Sequence, residues 1–137
     1  MLIRKVTESD DMIDYFINTE FAHFALDCNI ELNYEGYCFV AENDIGEVIG
    51  AITGRVYYNE VHIVDLIIDK DYRRQSIGSA LVRTVEDAYR GRGYDKITLT
   101  TFGFQAPEFY KKLGYSLEFV RKDEDPKLFK YFYCKAL

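Results

Sequence analysis

The sequence predicts an α/β fold, a mixed and mostly antiparallel sheet with helices on both faces, and three observations carry that reading. An apolar run at residues 61–68 passes through a charged turn into an amphipathic segment at 77–89, and strand character returns at 96–102. A strand–helix–strand unit of this kind joins two parallel strands by a right-handed crossover. Hairpin-like pairs of strands, separated by turn residues, flank the unit on both sides. Finally, 137 residues with 48% hydrophobic content suit one core, so a single domain over 1–137 is expected.

In chain order, residues 2–6 alternate well enough for an edge strand. Thr7, Glu8, Ser9 and Asp10 offer a helix cap, and Met12, Ile13, Phe16, Ile17, Phe21, Phe24 and Ala25 recur at helical spacing. One long helix or two short ones fit here, with breaks near Thr19 or near Asp27-Cys28-Asn29. Residues 37–41 and 48–58 read as strands around the turn 42–47, and Asn59-Glu60 separates them from the strand 61–68. From 77 to 89, Ile77, Ala80, Leu81, Val85, Ala88 and Tyr89 form an apolar stripe, stopped by Gly91-Arg92-Gly93. After the strand 96–102, Pro107 suits the first turn of a short helix and Gly114 its end. Residues 115–120 and 129–134 close the sheet around the turn 123–126. The expected order is β-α-α-β-β-β-α-β-α-β-β.

The net charge of −6 argues against a general nucleic-acid binder. Its distribution is uneven, with a net −9 over residues 1–60 and a net +3 over 61–137. A basic end for an anionic ligand and an acidic end for a cationic one is the functional reading; solvated faces of differing sign is the plain one. No apolar run approaches about 18 residues, so no membrane partner is expected. The start of the chain has no signal-peptide stretch, and Cys28, Cys38 and Cys134 lie in no metal-ligand or disulfide spacing. A cytoplasmic protein without metal follows as the expectation.

The turn Tyr72-Arg73-Arg74-Gln75-Ser76-Ile77-Gly78 is the most informative segment. Backbone N–H groups at a helix start are unpaired and suit a phosphate, especially beside guanidinium groups. Without a bound anion, cations at a helix N-terminus are unfavourable. A phosphate-binding loop of nucleotide hydrolases is excluded, because no G-K-[ST] follows.

The residues Leu66-Ile67-Ile68-Asp69-Lys70-Asp71-Tyr72 followed by Arg73-Arg74-Gln75-Ser76-Ile77-Gly78 align with the pattern L-x-V-x-P-x-Y, then R/Q-x-x-G-x-G/A, with Ile68 at the valine position and Lys70 at the proline position. Ala106-Pro107-Glu108-Phe109-Tyr110-Lys111-Lys112-Leu113-Gly114-Tyr115 matches A-x-x-F-Y-x-K-x-G-F/Y. With the element order, these segments resemble the Gcn5-related N-acetyltransferase (GNAT) superfamily over nearly the whole chain. Ser76 departs from the pattern, standing where the first glycine normally sits. A frame two residues on fits the consensus literally, but the first frame sets Tyr72, Ile77, Gly78 and Leu81 in place.

The resemblance implies a central parallel strand pair splayed to hold coenzyme A, and an acetyl-CoA-dependent transfer to a primary amine. The diphosphate would lie on Arg73, Arg74, Gln75, Ser76, Ile77, Gly78 and Ser79. Lys112 would reach the ribose phosphate, and Gln105 the pantetheine. That arm would pair with the edge of Leu66, Ile67 and Ile68, the N–H of Ile67 or a neighbour serving as oxyanion donor. Tyr110, by motif position, would be the general acid; as a residue type it is one of twelve tyrosines, and packing is the alternative. For the base, relatives often place a glutamate where His62 stands. Asp65, Glu60 and His23 are rivals, and a water chain can suffice. A small cationic acceptor fits the acidic first half. A protein N-acetyltransferase and an acyl-CoA sensor without turnover are the alternatives, and the resemblance leaves room for a homodimer.

Overall fold

The computed structural model describes all residues, Met1–Leu137. They form two compact units, Met1–Asn33 and Tyr34–Leu137.

In the first unit a single helix, α1 (Asp11–Asp27), realises the longer of the two helical expectations. The Asp10 carboxylate caps it, accepting from the N–H groups of Met12 at 2.9 Å and Ile13 at 3.4 Å. Asp11 and Asp14 in the first turn suit the helix dipole. Its end is a Schellman motif: Asn29 is left-handed (φ 58°), and the Ile30 N–H donates to the Ala25 carbonyl at 2.8 Å. Thr19 is absorbed without a break. The expected strand at 2–6 does not form: residues 1–10 contribute nothing to the sheet, and Leu2 and Ile3 stay exposed. Alternation alone is insufficient, because a strand needs a ladder partner.

The second unit is built on six strands: β1 (Glu35–Glu42), β2 (Val48–Tyr57), β3 (Glu60–Ile68), β4 (Lys96–Phe102), β5 (Ser116–Arg121) and β6 (Lys130–Ala136). Their order is β1-β2-β3-β4-β6-β5, with β3 and β4 the one parallel pair. Two helices, α2 (Ile77–Tyr89) and α3 (Pro107–Lys112), follow β3 and β4. Short 3-10 turns at Lys70–Tyr72 and Pro126–Leu128 complete the unit. Leu81, Val82, Val85 and Tyr89 of α2 and Tyr110 of α3 share one core with Ile52, Val56, Val61, Ile63, Ile97 and Leu99 of the sheet.

What positions the site is a parting of strands. β3 and β4 pair only from Glu60↔Lys96 to Ile63↔Leu99. Beyond that, β3 follows β2 to Gly50↔Ile68, and β4 follows β6 to Phe102↔Lys130. At the parting point Thr53 faces Asp65 and Gly54 faces Ile63, so Val64 is an extra residue and the strand bends. The Tyr37 hydroxyl fills the space beside Gly54 and donates to the His62 carbonyl at 3.0 Å.

Candidate active site

The parted strands open a cleft of about 1140 Å³ inside the second unit. One wall is β3 from Val64 to Ile68; the other holds Thr100, Thr101, Phe104, Gln105, Phe109 and Tyr110. At its end stands the turn into α2, with Arg73, Arg74, Ser76, Ile77, Gly78 and Ser79.

The β3 wall offers backbone groups. The Asp69 N–H donates to the Ile49 carbonyl at 2.8 Å, and Ala51 faces Ile67. Antiparallel alternation therefore turns the N–H groups of Asp69 and Ile67 toward β2, and those of Leu66 and Ile68 toward the cleft. The donors available to a ligand are thus the neighbours of Ile67 rather than Ile67 itself.

The turn is held tightly. Asp69 caps the 3-10 turn by accepting from the Asp71 N–H at 2.8 Å. The Arg73 Nε donates to the Ile68 carbonyl at 3.0 Å, so this guanidinium is partly spent on the turn itself. Arg74 (φ 62°) and Ser76 (φ 63°) are both left-handed. Ser76 thus stands where glycine is the unstrained choice, in agreement with the frame that begins at Arg73. Its side chain caps nothing, leaving the first N–H groups of α2 open to the cleft. Gly78 lets α2 approach α3: a Cβ there would lie 3.3 Å from Phe109 Cζ.

Tyr110 is buried to 7% exposure, with its ring edge-on to Phe109 and Tyr115. Burial pushes its phenol up to about 12. No hydrogen bond within the protein engages its hydroxyl, and the side chain lines the cleft. Gln105 lines the same cleft, but its side-chain carbonyl accepts from the Phe102 N–H at 2.9 Å and the Thr101 hydroxyl at 3.5 Å. Asp65 lines it too, exposed, accepting from the Thr53 hydroxyl at 3.0 Å.

Other sequence candidates lie outside. His62 sits on β3 before the bulge, half-buried, its Nδ1 2.9 Å from the Thr98 hydroxyl and its ring stacked on Tyr57. Burial holds its imidazole below the ordinary value. Gln75 and Lys112 are exposed and do not line the cleft. Sequence reasoning passed over Thr53, Thr100, Thr101 and Phe104. Alternation puts Thr100 and Thr101 on opposite faces of β4, so only the parting of the strands brings both to the cleft. No group of three or more His, Cys, Asp or Glu side chains is placed to hold a metal, and no helix is long and apolar enough to cross a membrane.

Comparison with known proteins agrees with this geometry. The acetyltransferase (GNAT) family matches residues 5–115. A blasticidin-S acetyltransferase of Streptomyces morookaense is 31% identical over 104 residues, covering 75% of this chain and 76% of that one. Among solved structures, an acetyltransferase from Bacillus cereus ATCC 14579 is similar over 98% of both chains, with 28% identity and a TM-score of 0.80. A GNAT family acetyltransferase from Elizabethkingia anophelis, solved with acetyl-CoA bound, shares the fold at 16% identity. It covers 94% of this chain and 84% of that one, with a TM-score of 0.64. Matched in sequence over most of its length and in fold over nearly all of it, the chain belongs to the acetyltransferase (GNAT) family and is an acyltransferase.

Proposed function

We propose that the chain moves an acetyl group from acetyl-CoA to the primary amine of a small cationic molecule, with Tyr110 as proton donor. The observation that carries this reading is the unpartnered Tyr110 phenol on a cleft whose far end is an anion-suited turn. Family membership supports acetyl-CoA as the donor. Its diphosphate would meet the N–H groups at the start of α2 and the Arg74 side chain. The N–H groups of Leu66 and Ile68 supply the strand-like edge for the pantetheine, and one of the cleft-facing N–H groups of β3 polarises the thioester carbonyl. Gln105 has its amide nitrogen left for the same arm.

The amine attacks the carbonyl carbon, the C–S bond breaks, and the thiolate takes a proton. At about 12, Tyr110 stays neutral through any ordinary assay range and keeps that proton available. Complete transfer to a thiolate of ordinary basicity is about 5 kcal/mol uphill. Tyr110 therefore acts first as a hydrogen-bond donor to the developing thiolate, and the proton moves as apolar surroundings raise the basicity of the sulfur. Asp65 is the carboxylate suited to the acceptor's ammonium, with Val64, Ile67 and Phe104 as exposed apolar neighbours in the same cleft. Water relays the amine proton outward, and His62 lies off this path. Similarity to an enzyme named for blasticidin-S supports a small-molecule acceptor over a protein.

Thiol release against a panel of amines, with mass detection of product, tests the function. Turnover with a cationic amine is expected, and coenzyme A binding without turnover on any amine sinks it. Tyr110→Phe is expected to lower kcat about 100-fold with coenzyme A affinity nearly intact. Asp65→Asn is expected to raise the amine KM about 10-fold, and His62→Gln to leave the acidic limb of the rate profile in place.

A further inference from the structure

α3 is only six residues long, too short to hold its own shape, yet it carries Tyr110. Its end is a Schellman motif: Gly114 is left-handed (φ 92°), the Gly114 N–H donates to the Lys111 carbonyl, and the Tyr115 N–H donates to the Tyr110 carbonyl, both at 3.1 Å. The Tyr115 ring packs edge-on against Tyr110 at 5.9 Å. Tyr110 is thus the residue that this motif grips by both backbone and ring.

The motif is in turn tied to α2. Glu86, 5% exposed on the inner side of α2, accepts at one oxygen from the Tyr115 hydroxyl at 3.1 Å and from Lys135 Nζ at 3.0 Å. Lys135, on β6, also donates to the Leu113 carbonyl at 3.0 Å and lies 5.5 Å from the centre of the Tyr115 ring. Glu86 is buried while the Lys135 side chain keeps 32% exposure, and a packed apolar pair is often as stable as an ion pair with a buried partner, so stability alone does not account for the two charges. What the pair adds is direction. Two polar lines run from one carboxylate to the carbonyl that ends α3 and to the ring that abuts Tyr110.

We infer that the Glu86–Lys135 pair is a positioning device for the Tyr110 phenol, fastening the end of α3 to the helix whose start forms the anion-suited turn. The kinetic part rests on Tyr110 being the proton donor, whereas the placement part does not.

Replacing both charges together, Glu86→Leu with Lys135→Met, leaves no unpaired buried ion. This variant is expected to lose kcat about 10-fold or more, while coenzyme A affinity changes less than about 2-fold. In a Tyr110→Phe background the same pair is expected to change kcat less than about 2-fold, because the group being positioned is gone. An equal loss with and without Tyr110, or no loss at all, overturns the kinetic role.

Tyrosine labelled with carbon-13 at Cζ reads placement without catalysis. The Tyr110 signal, assigned by its disappearance in Tyr110→Phe, is expected to be single in the parent and shifted or doubled in the paired variant. An unmoved signal in that folded variant overturns the proposal. A moved signal together with an unchanged rate for Tyr110→Phe upholds the placement and removes the proton-donor role. Should the paired variant not fold, Glu86→Gln takes its place: a shifted Tyr110 signal with kcat reduced about 3-fold is expected, and an unmoved signal with unchanged kcat overturns the proposal.

Discussion

Ser76 shows how far one residue can be read in advance. Its departure from the glycine pattern is visible in the sequence, and its φ of 63° supplies the physical reason that glycine is the usual occupant. A left-handed residue other than glycine costs about 1–2 kcal/mol, part of which glycine gives back through the freer unfolded chain. Ser76→Gly is therefore expected to stabilise the fold by about 0.5–1 kcal/mol in urea unfolding. No gain, or a loss, means that the turn is not strained at this position. The neighbouring detail was not legible. Arg73 reads as a phosphate ligand, yet its Nε is turned back onto the Ile68 carbonyl, a bond that exists only because the 3-10 turn returns the chain to the end of β3. Arg74 carries the same left-handed backbone with no sequence signal.

At the scale of elements, periodicity located α2, β4 and α3 because each has a strong apolar stripe or a Pro and Gly boundary. The segment 2–6 misled because alternation says nothing about a ladder partner, and the helix reading near Thr19 stayed open because a single threonine breaks no helix. The bulge at Val64 was invisible, although Gly54, which faces the adjacent Ile63, stands in the sequence as a glycine within a strand. A Cβ on Gly54 would run into the His62 carbonyl and the Tyr37 ring, and the first is backbone that cannot step aside. Gly54→Ala is therefore expected to destabilise by about 2–3 kcal/mol and to weaken coenzyme A binding, because the bend that opens the cleft must relax. Thermal melting with and without coenzyme A reads both effects. A change within about 0.5 kcal/mol would show that the bulge does not depend on this glycine.

Across the whole molecule, the charge asymmetry acquires a different boundary. Residues 1–33 carry seven Asp/Glu against two Lys/Arg, and residues 34–137 carry sixteen against fifteen, so most of the net −6 belongs to the first unit. The cleft-bearing unit is nearly neutral, and no residue of its anion-suited turn is acidic from Tyr72 to Ser79. Buried titratable groups add their own pH dependence to stability. His62 is one of them: desolvation lowers its pKa, Glu60 opposes this, and Arg55 on β2 and Lys130 on β6 add to it. The folded state thus takes up this proton later than the unfolded chain, whose histidines titrate near 6.5. Stability from this group is complete above about 6.5 and is lost as the pH falls toward the lower folded value, since only unfolding then gains the proton. Glutamine cannot titrate, yet it can still hydrogen-bond to the Thr98 hydroxyl that meets His62 Nδ1. The parent is therefore expected to lose more melting temperature than His62→Gln between pH 7.5 and pH 5. Equal losses would show that His62 is hydrated enough to titrate as it does in the unfolded chain.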